Sequence, residues 1–257
     1  MTRSEPMERR VRIRWTDETD STQDELRRHI EASDNLSVVA ALNQTSGRGQ
    51  RGNTWHSAKG LNLTFSMLLR FGNGYSAPLK ASGQFGITRA MTLGVSRYLE
   101  SEGIESRIKW PNDIYIRNRK VCGMLIENII EDGMVASSIV GIGLNVNQRE
   151  FPPGIPNPTS MSLRTGKEYS LGEELVKLCG FLAGSYHEGL FLPLPEALHS
   201  YTGRLYRMGG FHEYVRCSDG CLFEAEIEGV TQEGLLRLRN RKGELNKFAF
   251  KEINYII

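Results

Sequence analysis

A glycine- and arginine-rich stretch between two strand-like segments is the feature that most constrains how this chain folds. The stretch reads QTSGRGQRGNTW and covers residues 44–55. The apolar run LSVVAAL before it, residues 36–42, predicts a buried strand. After it, apolar and polar side chains alternate over residues 61–67, which predicts a half-buried strand. The stretch therefore connects two predicted strands.

The glycine-rich stretch itself has two interpretations. Successive backbone N–H groups in a glycine-permitted turn form a concavity that binds anions, and Arg48 and Arg51 would add charge-assisted hydrogen bonds. The alternative is a surface hairpin with solvated arginines. Glycine-rich fingerprints often match by chance, so the spacing alone does not decide between an anion site and a surface turn.

Helix-like and strand-like segments follow one another without a regular β-α-β alternation, which predicts an α+β fold. Thr22 and Glu25 match the T-x-x-E capping box of one helix, and Ser170 with Glu173 is expected to cap another. The remaining patterns predict a helix carrying Ile87, Met91, Val95 and Leu99, and strands at residues 114–116, 121–129 and 138–147.

The pattern changes from about Tyr201 onward. Short strand-like segments are separated there by turn signals at residues 218–220, 232–234 and 241–243. Some fifty residues of this kind predict a small antiparallel barrel. We therefore expect a larger domain at residues 1–200 and a small C-terminal domain at residues 201–257.

The composition argues against several classes of protein. Among the 257 residues, 32 basic and 30 acidic side chains give a net charge of +2, which does not suit a general nucleic-acid coat. No stretch approaches about 18 apolar residues and the N-terminus has no apolar core for a signal peptide, so we expect no membrane span. The four cysteines form no C-x-x-C pair, which indicates reduced thiols in the cytoplasm and makes zinc unexpected.

Further motifs carry polar groups that chemistry could use, and each also has a structural interpretation. The segment KWPND, residues 109–113, contains a turn, and Asp113 alone is more typical of a turn residue than of a metal ligand. Lys120 lies at the mouth of a predicted strand, where a solvated lysine is the commoner role. Glycines within a strand, as in GIGLN at residues 141–145, often mark the close approach of a ligand or of another backbone.

The motifs are far more specific in combination than alone. Their order along the chain is DSTQ at 20–23, QxxGRGxRGxxW at 44–55, KWPND at 109–113, RKxxG at 119–123 and GxGxN at 141–145. This set resembles biotin protein ligase, also called biotin–[acetyl-CoA-carboxylase] ligase. The resemblance is dense from about Trp15 to Asn147, thin from 150 to 200, and weak over the last fifty residues. It implies a mixed sheet flanked by helices, like that of class II aminoacyl-tRNA synthetases, with a C-terminal SH3-like barrel.

The resemblance implies an enzyme that joins biotin and ATP into biotinyl-5′-adenylate with Mg²⁺. The biotinyl group then passes to one lysine of a biotin carboxyl carrier protein. Lys120 would contact the biotin carboxylate and the α-phosphate, and Arg48 and Arg51 would hold phosphate and order the loop. The implied biotin contacts are Ser21, Thr22, Gln44, Gly47, Lys120, Gly123, Gly141 and Gly143. The implied nucleotide contacts are Arg48, Gln50, Trp55, Asn112, Lys120 and Asn145, and Asp113 is the candidate metal ligand.

Three of these positions also have simpler explanations. Helix capping accounts for Ser21 and Thr22 without a substrate. Trp55 could belong to the hydrophobic core instead of stacking on a base.

Gln50 departs from the family pattern. The family commonly has the loop G-R-G-R-x-G, and this chain has glutamine at the second arginine position. The difference removes one fixed positive charge near the adenylate, although glutamine still donates hydrogen bonds. We therefore expect retention of the adenylate to depend more on Arg48, Arg51 and closure of the loop.

Partners and rival functions follow from the same resemblance. Some relatives carry a DNA-binding helix-turn-helix domain ahead of the catalytic part; here DSTQ begins at residue 20, so we expect the short form that does not bind DNA. The resemblance also implies a homodimer formed through sheet edges, either permanently or only with the adenylate bound. The rivals are a ligase or transferase for lipoate or octanoate, a non-catalytic biotin- or nucleotide-binding module, and a nucleic-acid binder that uses the basic loop.

Overall fold

The computed structural model describes residues 11–72 and 74–257, apart from the side chains of Arg51, Leu190 and Phe191. Its larger part is built on eight strands: β1 Arg12–Thr19, β2 Ser37–Gln44, β3 Leu63–Arg70, β4 Leu79–Lys80, β5 Arg107–Lys109, β6 Asp113–Ile116, β7 Arg119–Glu131 and β8 Met134–Leu144. Their order is β1-β2-β3-β8-β7-β6-β5, with β4 on β8. β1 and β2 are parallel and the other neighbours are antiparallel, so the sheet is mixed, as the resemblance implied.

Helices cover both faces of this sheet. The described residues form α1 Thr22–Arg28, α2 Phe85–Ser101, α3 Met161–Thr165, α4 Leu171–Phe191 and α5 Leu194–Thr202. On one face, Leu26 of α1 packs with Val39 and Ile139. On the other, α2 and α4 pack together over the main core, to which Val38 belongs. None of the helices within residues 11–72 and 74–257 combines the length and the apolar character that crossing a membrane requires.

β3 differs from the expected half-buried strand, because its polar face is buried as well. Thr64 and Ser66 both lie below the surface. Thr64 Oγ1 donates a hydrogen bond to the backbone oxygen of Ala41 at 2.9 Å, and Ser66 Oγ lies 2.9 Å from Thr22 Oγ1. The polar face is buried because α1 covers it, and its hydroxyl groups find partners there.

The capping bonds at the starts of two helices also differ from the expectation. Ser21, rather than Thr22, is the N-cap of α1, and its Oγ accepts a hydrogen bond from the backbone N–H of Gln23 at 3.3 Å. The hydroxyl of Thr22 points to Ser66 instead. Ser170 precedes α4 as expected, but its side chain makes no capping hydrogen bond. The two helix starts were therefore predicted correctly, and the capping bond of Ser21 is present, whereas Thr22 and Ser170 make no capping bond.

The C-terminal part forms a separate antiparallel sheet: β9 His212–Arg216, β10 Leu222–Val230, β11 Leu236–Asn240, β12 Leu245–Phe248 and β13 Ile253–Tyr255, in the order β12-β11-β10-β9-β13. This agrees with the small SH3-like unit, and the α+β fold class is confirmed. The sheet packs on the KWPND segment, where Trp110 Nε1 donates to the backbone oxygen of Gly234 at 2.9 Å. The Trp110 ring also meets Phe250 edge to face, with 6.1 Å between centroids. The boundary between residues 200 and 201 stays a prediction.

Candidate active site

A cleft on the α1 face of the large sheet collects most of the residues singled out in the sequence. Gly141 and Gly143 of β8 pair with Ser66 and Thr64 of β3, so they lie on the face that α1 covers. The start of α1, the β2–β3 loop and the KWPND segment surround these glycines. The predicted site residues that line the cleft are Ser21, Thr22, Gln44, Arg48, Gln50, Trp55, Asn112, Asp113, Lys120, Gly123, Gly141 and Gly143.

The first residues of α1 and the end of β2 form one polar side of the cleft. The backbone N–H of Thr22 donates to Gln44 Oε1 at 2.8 Å. Ser21 and Thr22 are both buried, and both line the cleft. Capping and lining are therefore compatible roles for Ser21, because its Oγ caps α1 while the residue also borders the cavity.

The side chain of Gln23 occupies the space next to Gly141, the first glycine of GIGLN. Its side-chain nitrogen donates to the backbone oxygen of Leu125 at 3.3 Å and to Glu127 Oε2 at 2.9 Å. A Cβ atom at Gly141 would come within 2.5 Å of Gln23 Oε1, which is closer than real Cβ contacts. Glycine at 141 therefore leaves room for the Gln23 amide in this position, and a larger residue would displace that amide.

The indole ring of Trp55 occupies the space next to Gly143, the second glycine of GIGLN. Gly123 of β7 and Gly143 of β8 are directly opposite each other in the sheet. A Cβ atom at Gly143 would lie 2.5 Å from Trp55 Nε1, and one at Gly123 would lie 3.2 Å from Cζ3. The two glycines thus leave room for a flat ring directly on the sheet backbone. Nε1 of Trp55 is buried and has no hydrogen-bond partner among the residues described, which leaves a donor for a ligand.

Lys120 and Asp113 form an ion pair in the cleft. Lys120 Nζ lies 2.7 Å from Asp113 Oδ1 and 5.8 Å from the centroid of the Trp55 ring. The lysine side chain is 30% exposed and the aspartate side chain 23% exposed. A Cβ atom at Gly123 would lie 3.0 Å from Lys120 Nζ, so glycine also leaves room for the ammonium group. The lysine is therefore directed at the cleft rather than freely solvated.

Arg48 is held by carboxylates in this structure. Its Nη1 lies 2.6 Å from Asp24 Oδ1 and its Nη2 lies 2.7 Å from Glu127 Oε1. Glu127 is shared, because Arg27 Nη2 lies 2.6 Å from its other oxygen. These contacts join the β2–β3 loop to α1 and β7. The side chain of Arg51 lies outside the described residues, so its predicted phosphate contact stays a prediction.

Gln50 and Asn112 both line the cleft, and their side chains differ in the hydrogen bonds that they make. The side-chain oxygen Oε1 of Gln50 is buried and has no partner within residues 11–72 and 74–257. The side chain of Asn112 is buried, and its amide nitrogen donates to the backbone oxygen of Met124. Asn112 therefore fixes the position of the KWPND segment, whereas Gln50 retains an unused acceptor.

Two predicted site residues do not line the cleft. Asn145 is buried beside it, where its Nδ2 donates to the backbone oxygen of Thr159 at 2.9 Å. Gly47 lies within the loop, where its backbone oxygen accepts from the N–H of Trp55 at 2.9 Å. A Cβ atom at Gly47 would come within 2.5 Å of the Trp55 backbone oxygen, so glycine is needed there for the shape of the loop.

Some lining residues were absent from the predicted site: Gln23, Lys109, Trp110 and Phe250. The first three lie inside DSTQ and KWPND, so their membership of those motifs was the available signal. Phe250 comes from the second sheet. Nothing in its sequence neighbourhood indicates this contact, because it depends on how the two sheets pack.

Together, the mixed sheet flanked by helices and the separate antiparallel sheet have the architecture of biotin protein ligases. The solved structure of biotin protein ligase from Aquifex aeolicus in complex with biotin and ATP matches this chain with a TM-score of 0.76. The match covers 95% of this chain and 99% of that chain at 26% sequence identity.

The chain belongs to the biotin/lipoate A/B protein ligase family, whose model matches residues 13–146. The bifunctional ligase/repressor BirA of Bacillus subtilis is 31% identical over 212 residues, which cover 80% of this chain but only 62% of that relative. The biotin–[acetyl-CoA-carboxylase] ligase of Paracoccus denitrificans is 30% identical over 234 residues, which cover 88% of this chain and 93% of the relative. The resemblance seen in the motifs is confirmed.

Proposed function

We propose that the protein is an ATP-dependent biotin–protein ligase that forms biotinyl-5′-adenylate and transfers biotin to a lysine of a biotin carboxyl carrier protein. The observation that carries this proposal is the convergence of Lys120, Trp55 and the Gly123–Gly143 pair in one cleft. The Aquifex relative that shares the fold was solved with both biotin and ATP, which supports the pair of substrates.

In the first step, a carboxylate oxygen of biotin attacks the α-phosphorus of ATP, and the bond to pyrophosphate breaks. Negative charge on the phosphate oxygens has to be stabilised, so positioning and electrostatics carry the step. Lys120 is the residue we assign to the biotin carboxylate and the α-phosphate. The nearby Asp113 orients its ammonium group at 2.7 Å.

Biotin recognition is assigned to the polar side of the cleft. Ser21, Thr22 and Gln44 would hydrogen-bond the ureido group, and the backbone of Gly47 would support the loop above it. Gly123, Gly141 and Gly143 would line the slot for the apolar part of biotin, which requires the Trp55 ring to leave its place on Gly123 and Gly143. A buried polar pocket of this kind discriminates against analogues without the ureido group, because its own donors and acceptors would be left unpaired.

The nucleotide is assigned to the loop and the opposite side of the cleft. Trp55 would lie against the base, and Asn112 and Asn145 would support that end of the site. Arg48, Gln50 and Arg51 would close over the phosphates. Because Arg48 is paired with Asp24 and Glu127 in this structure, phosphate binding requires exchange of at least one of these ion pairs.

In the second step, the amine of an acceptor lysine attacks the acyl carbon of the adenylate, and AMP leaves as the amide forms. The partner is the carrier domain of a biotin-dependent carboxylase. The name of the Paracoccus relative, which specifies acetyl-CoA carboxylase, supports this class of partner.

Mg²⁺ is assigned mainly to the phosphates. No group of three or more His, Cys, Asp or Glu side chains that could hold a metal is found within the described part of the chain. Mg²⁺ commonly uses one or two carboxylates together with substrate phosphates, and Asp113 offers one carboxylate in the cleft. When bound, the ion would supply positive charge to the phosphate oxygens.

Three organisational features are part of the same proposal. The catalytic domain covers residues 1–200 and the SH3-like domain residues 201–257, and the protein works in the cytoplasm as a homodimer. All four cysteines are unpaired thiols in the structure, which supports a reducing compartment.

The decisive experiment combines the protein, biotin, ATP, Mg²⁺ and a biotin carboxyl carrier domain, and measures the mass of that domain. A gain of one biotinyl group on a single lysine is the expected result. Lipoate and octanoate in place of biotin test the rival acyl ligases, and a carrier domain whose acceptor lysine is replaced by arginine is the matched control. Biotin binding without biotin-dependent pyrophosphate exchange would instead indicate a non-catalytic binding module.

A further inference from the structure

The basic side chains of the cleft differ in how they are paired. Of the described residues that line it, Arg48, Lys109 and Lys120 carry positive charge. Arg48 and Lys120 each lie within 2.7 Å of a carboxylate oxygen. No carboxylate of the described chain lies within 4.0 Å of Lys109 Nζ. Lys109 therefore contributes positive charge to the cleft that no direct ion pair neutralises.

Aromatic rings, rather than a carboxylate, hold the Lys109 ammonium group. Its Nζ lies 4.9 Å from the centroid of the Tyr255 ring and 5.5 Å from that of Tyr115. Ring faces attract a cation without cancelling its net charge. Tyr255 belongs to β13, so the second sheet takes part in positioning a side chain of the cleft.

The backbone around Lys109 is fixed on both sides. Lys109 pairs with Asp113 across β5 and β6, which directs both side chains to the same face. The indole nitrogen of the next residue, Trp110, donates a hydrogen bond to the backbone oxygen of Gly234, which lies between β10 and β11. The carbonyl of Pro111 accepts a hydrogen bond from the Tyr201 hydroxyl at 2.7 Å. The position of Lys109 is therefore preorganised.

Burial is the main influence on the ionisation of Lys109, and the nearby charges act on it in opposite directions. Burial lowers the pKa of Lys109 below its ordinary value; Asp113 opposes this shift, and Lys120 and Arg207 add to it. When charged, this ammonium group therefore lies in a poorly hydrated place with other cations nearby. Such a group gains by receiving an anion.

We infer that Lys109 is the residue that binds the β- and γ-phosphates of the nucleotide, held in place by Tyr255 of the second sheet. This inference rests on the proposed function, in which Lys120 is committed to the biotin carboxylate and the α-phosphate. A lysine ammonium suits phosphate as a compact point charge. In the first step the β- and γ-phosphates leave as pyrophosphate, and Lys109 stabilises the charge that builds up on them.

The test separates phosphate binding from a merely structural role by comparing ligands with and without the outer phosphates. ATP, inorganic pyrophosphate and AMP are titrated by calorimetry into wild type, Lys109→Met and Lys109→Arg. For Lys109→Met we expect affinity for ATP and pyrophosphate to fall about ten- to a hundred-fold, with AMP changed by less than about twofold. Lys109→Arg should retain most of the affinity, since it keeps the charge. Lys167→Met, at an exposed lysine outside the cleft, is the matched control.

A second pair of variants tests the role of the ring. Tyr255→Phe keeps the ring face and should bind ATP with the affinity of wild type. Tyr255→Leu should lower the affinity for ATP and leave the affinity for AMP unchanged. This pair also carries the test if thermal melting shows that Lys109→Met does not fold.

The outcomes distinguish this inference from the proposed function. If Lys109→Met lost affinity for AMP and ATP equally, or bound ATP as tightly as wild type, the inference would be overturned and the proposed function would be unaffected. A wild-type protein that forms no biotin-dependent adenylate would contradict the proposed function, and the inference with it.

Discussion

The Trp55 ring lies on the backbone of Gly143, so that the β2–β3 loop is held against β8 by a contact between a ring and a residue without a side chain. A Cβ atom at position 143 would lie 2.5 Å from both Nε1 and Cζ2 of the indole. The ring is thus inserted into the space that the glycine leaves. The position of the loop over the cleft therefore depends on having glycine at position 143, the second glycine of GIGLN.

We expect Gly143→Ala to displace Trp55 from the sheet. The new methyl group cannot share its place with the ring, and overpacking of this kind costs about 1–3 kcal/mol of folding free energy. The measurement is acrylamide quenching of tryptophan fluorescence in a Trp15→Phe background, which removes the partly exposed Trp15. Quenching should increase in Gly143→Ala.

Gly172→Ala is the matched control for this prediction. A Cβ atom at Gly172, in α4, would meet nothing within 4 Å, so its quenching should equal that of the parent. Equal quenching in Gly143→Ala and the parent would show that Trp55 does not rest on Gly143 in solution.

Local sequence patterns predicted the strands on both sides of the loop, because strand period and turn chemistry are local properties. The family resemblance, rather than any single pattern, implied most of the residues that line the cleft. The burial of Ser66 was not predictable from alternation, since it depends on α1 covering that face. The pairing of Arg48 with Glu127 joins residues 79 positions apart, and no pattern encodes such a distance. The contact of Phe250 with Trp110 likewise depends on the packing of two sheets.

Lys120→Met should lower the rate of adenylate formation by about two to three orders of magnitude. The estimate corresponds to loss of one oriented donor in the transition state, about 3–4 kcal/mol. The measurement is biotin-dependent pyrophosphate exchange at saturating ATP. Lys80→Met, at an exposed lysine of β4, should retain the wild-type rate. A Lys120→Met rate within a factor of about three of wild type would remove Lys120 from the mechanism.

Asp113→Asn should raise the Mg²⁺ concentration needed for half-maximal adenylate formation. The variant removes the one carboxylate that lines the cleft among the residues described, and it also frees Lys120 from its ion pair. The measurement is the exchange rate over a Mg²⁺ titration, with EDTA expected to abolish the wild-type rate. A lower maximal rate with an unchanged Mg²⁺ midpoint would instead assign Asp113 to orienting Lys120 only.

Gln50→Arg should slow the escape of biotinyl-adenylate. The side-chain oxygen Oε1 of Gln50 is buried without a partner in the described structure, and arginine would replace it with charged donors for the phosphate. A hydrogen bond to a charged group contributes about 1.5–3 kcal/mol, so escape should slow by about tenfold or more. The measurement follows labelled adenylate released into a chase of unlabelled biotin. Asn53→Arg places the same charge elsewhere in the loop and should have a smaller effect; unchanged escape in Gln50→Arg would refute the expected role of this position.

Thiol modification should divide the four cysteines into two pairs. Cys122 and Cys179 are buried and Cys217 and Cys221 exposed. Burial raises the pKa of Cys179 to about 12 and that of Cys122 further. Because the thiolate is the reactive form, both buried thiols stay protonated and unreactive at pH 8, and only rising pH near their raised pKa would ionise them in the folded state. Iodoacetamide at pH 8, read by intact mass, should therefore add two groups to the native protein and four after denaturation. Rapid modification of Cys122 or Cys179 in the native protein would contradict the burial of these two thiols.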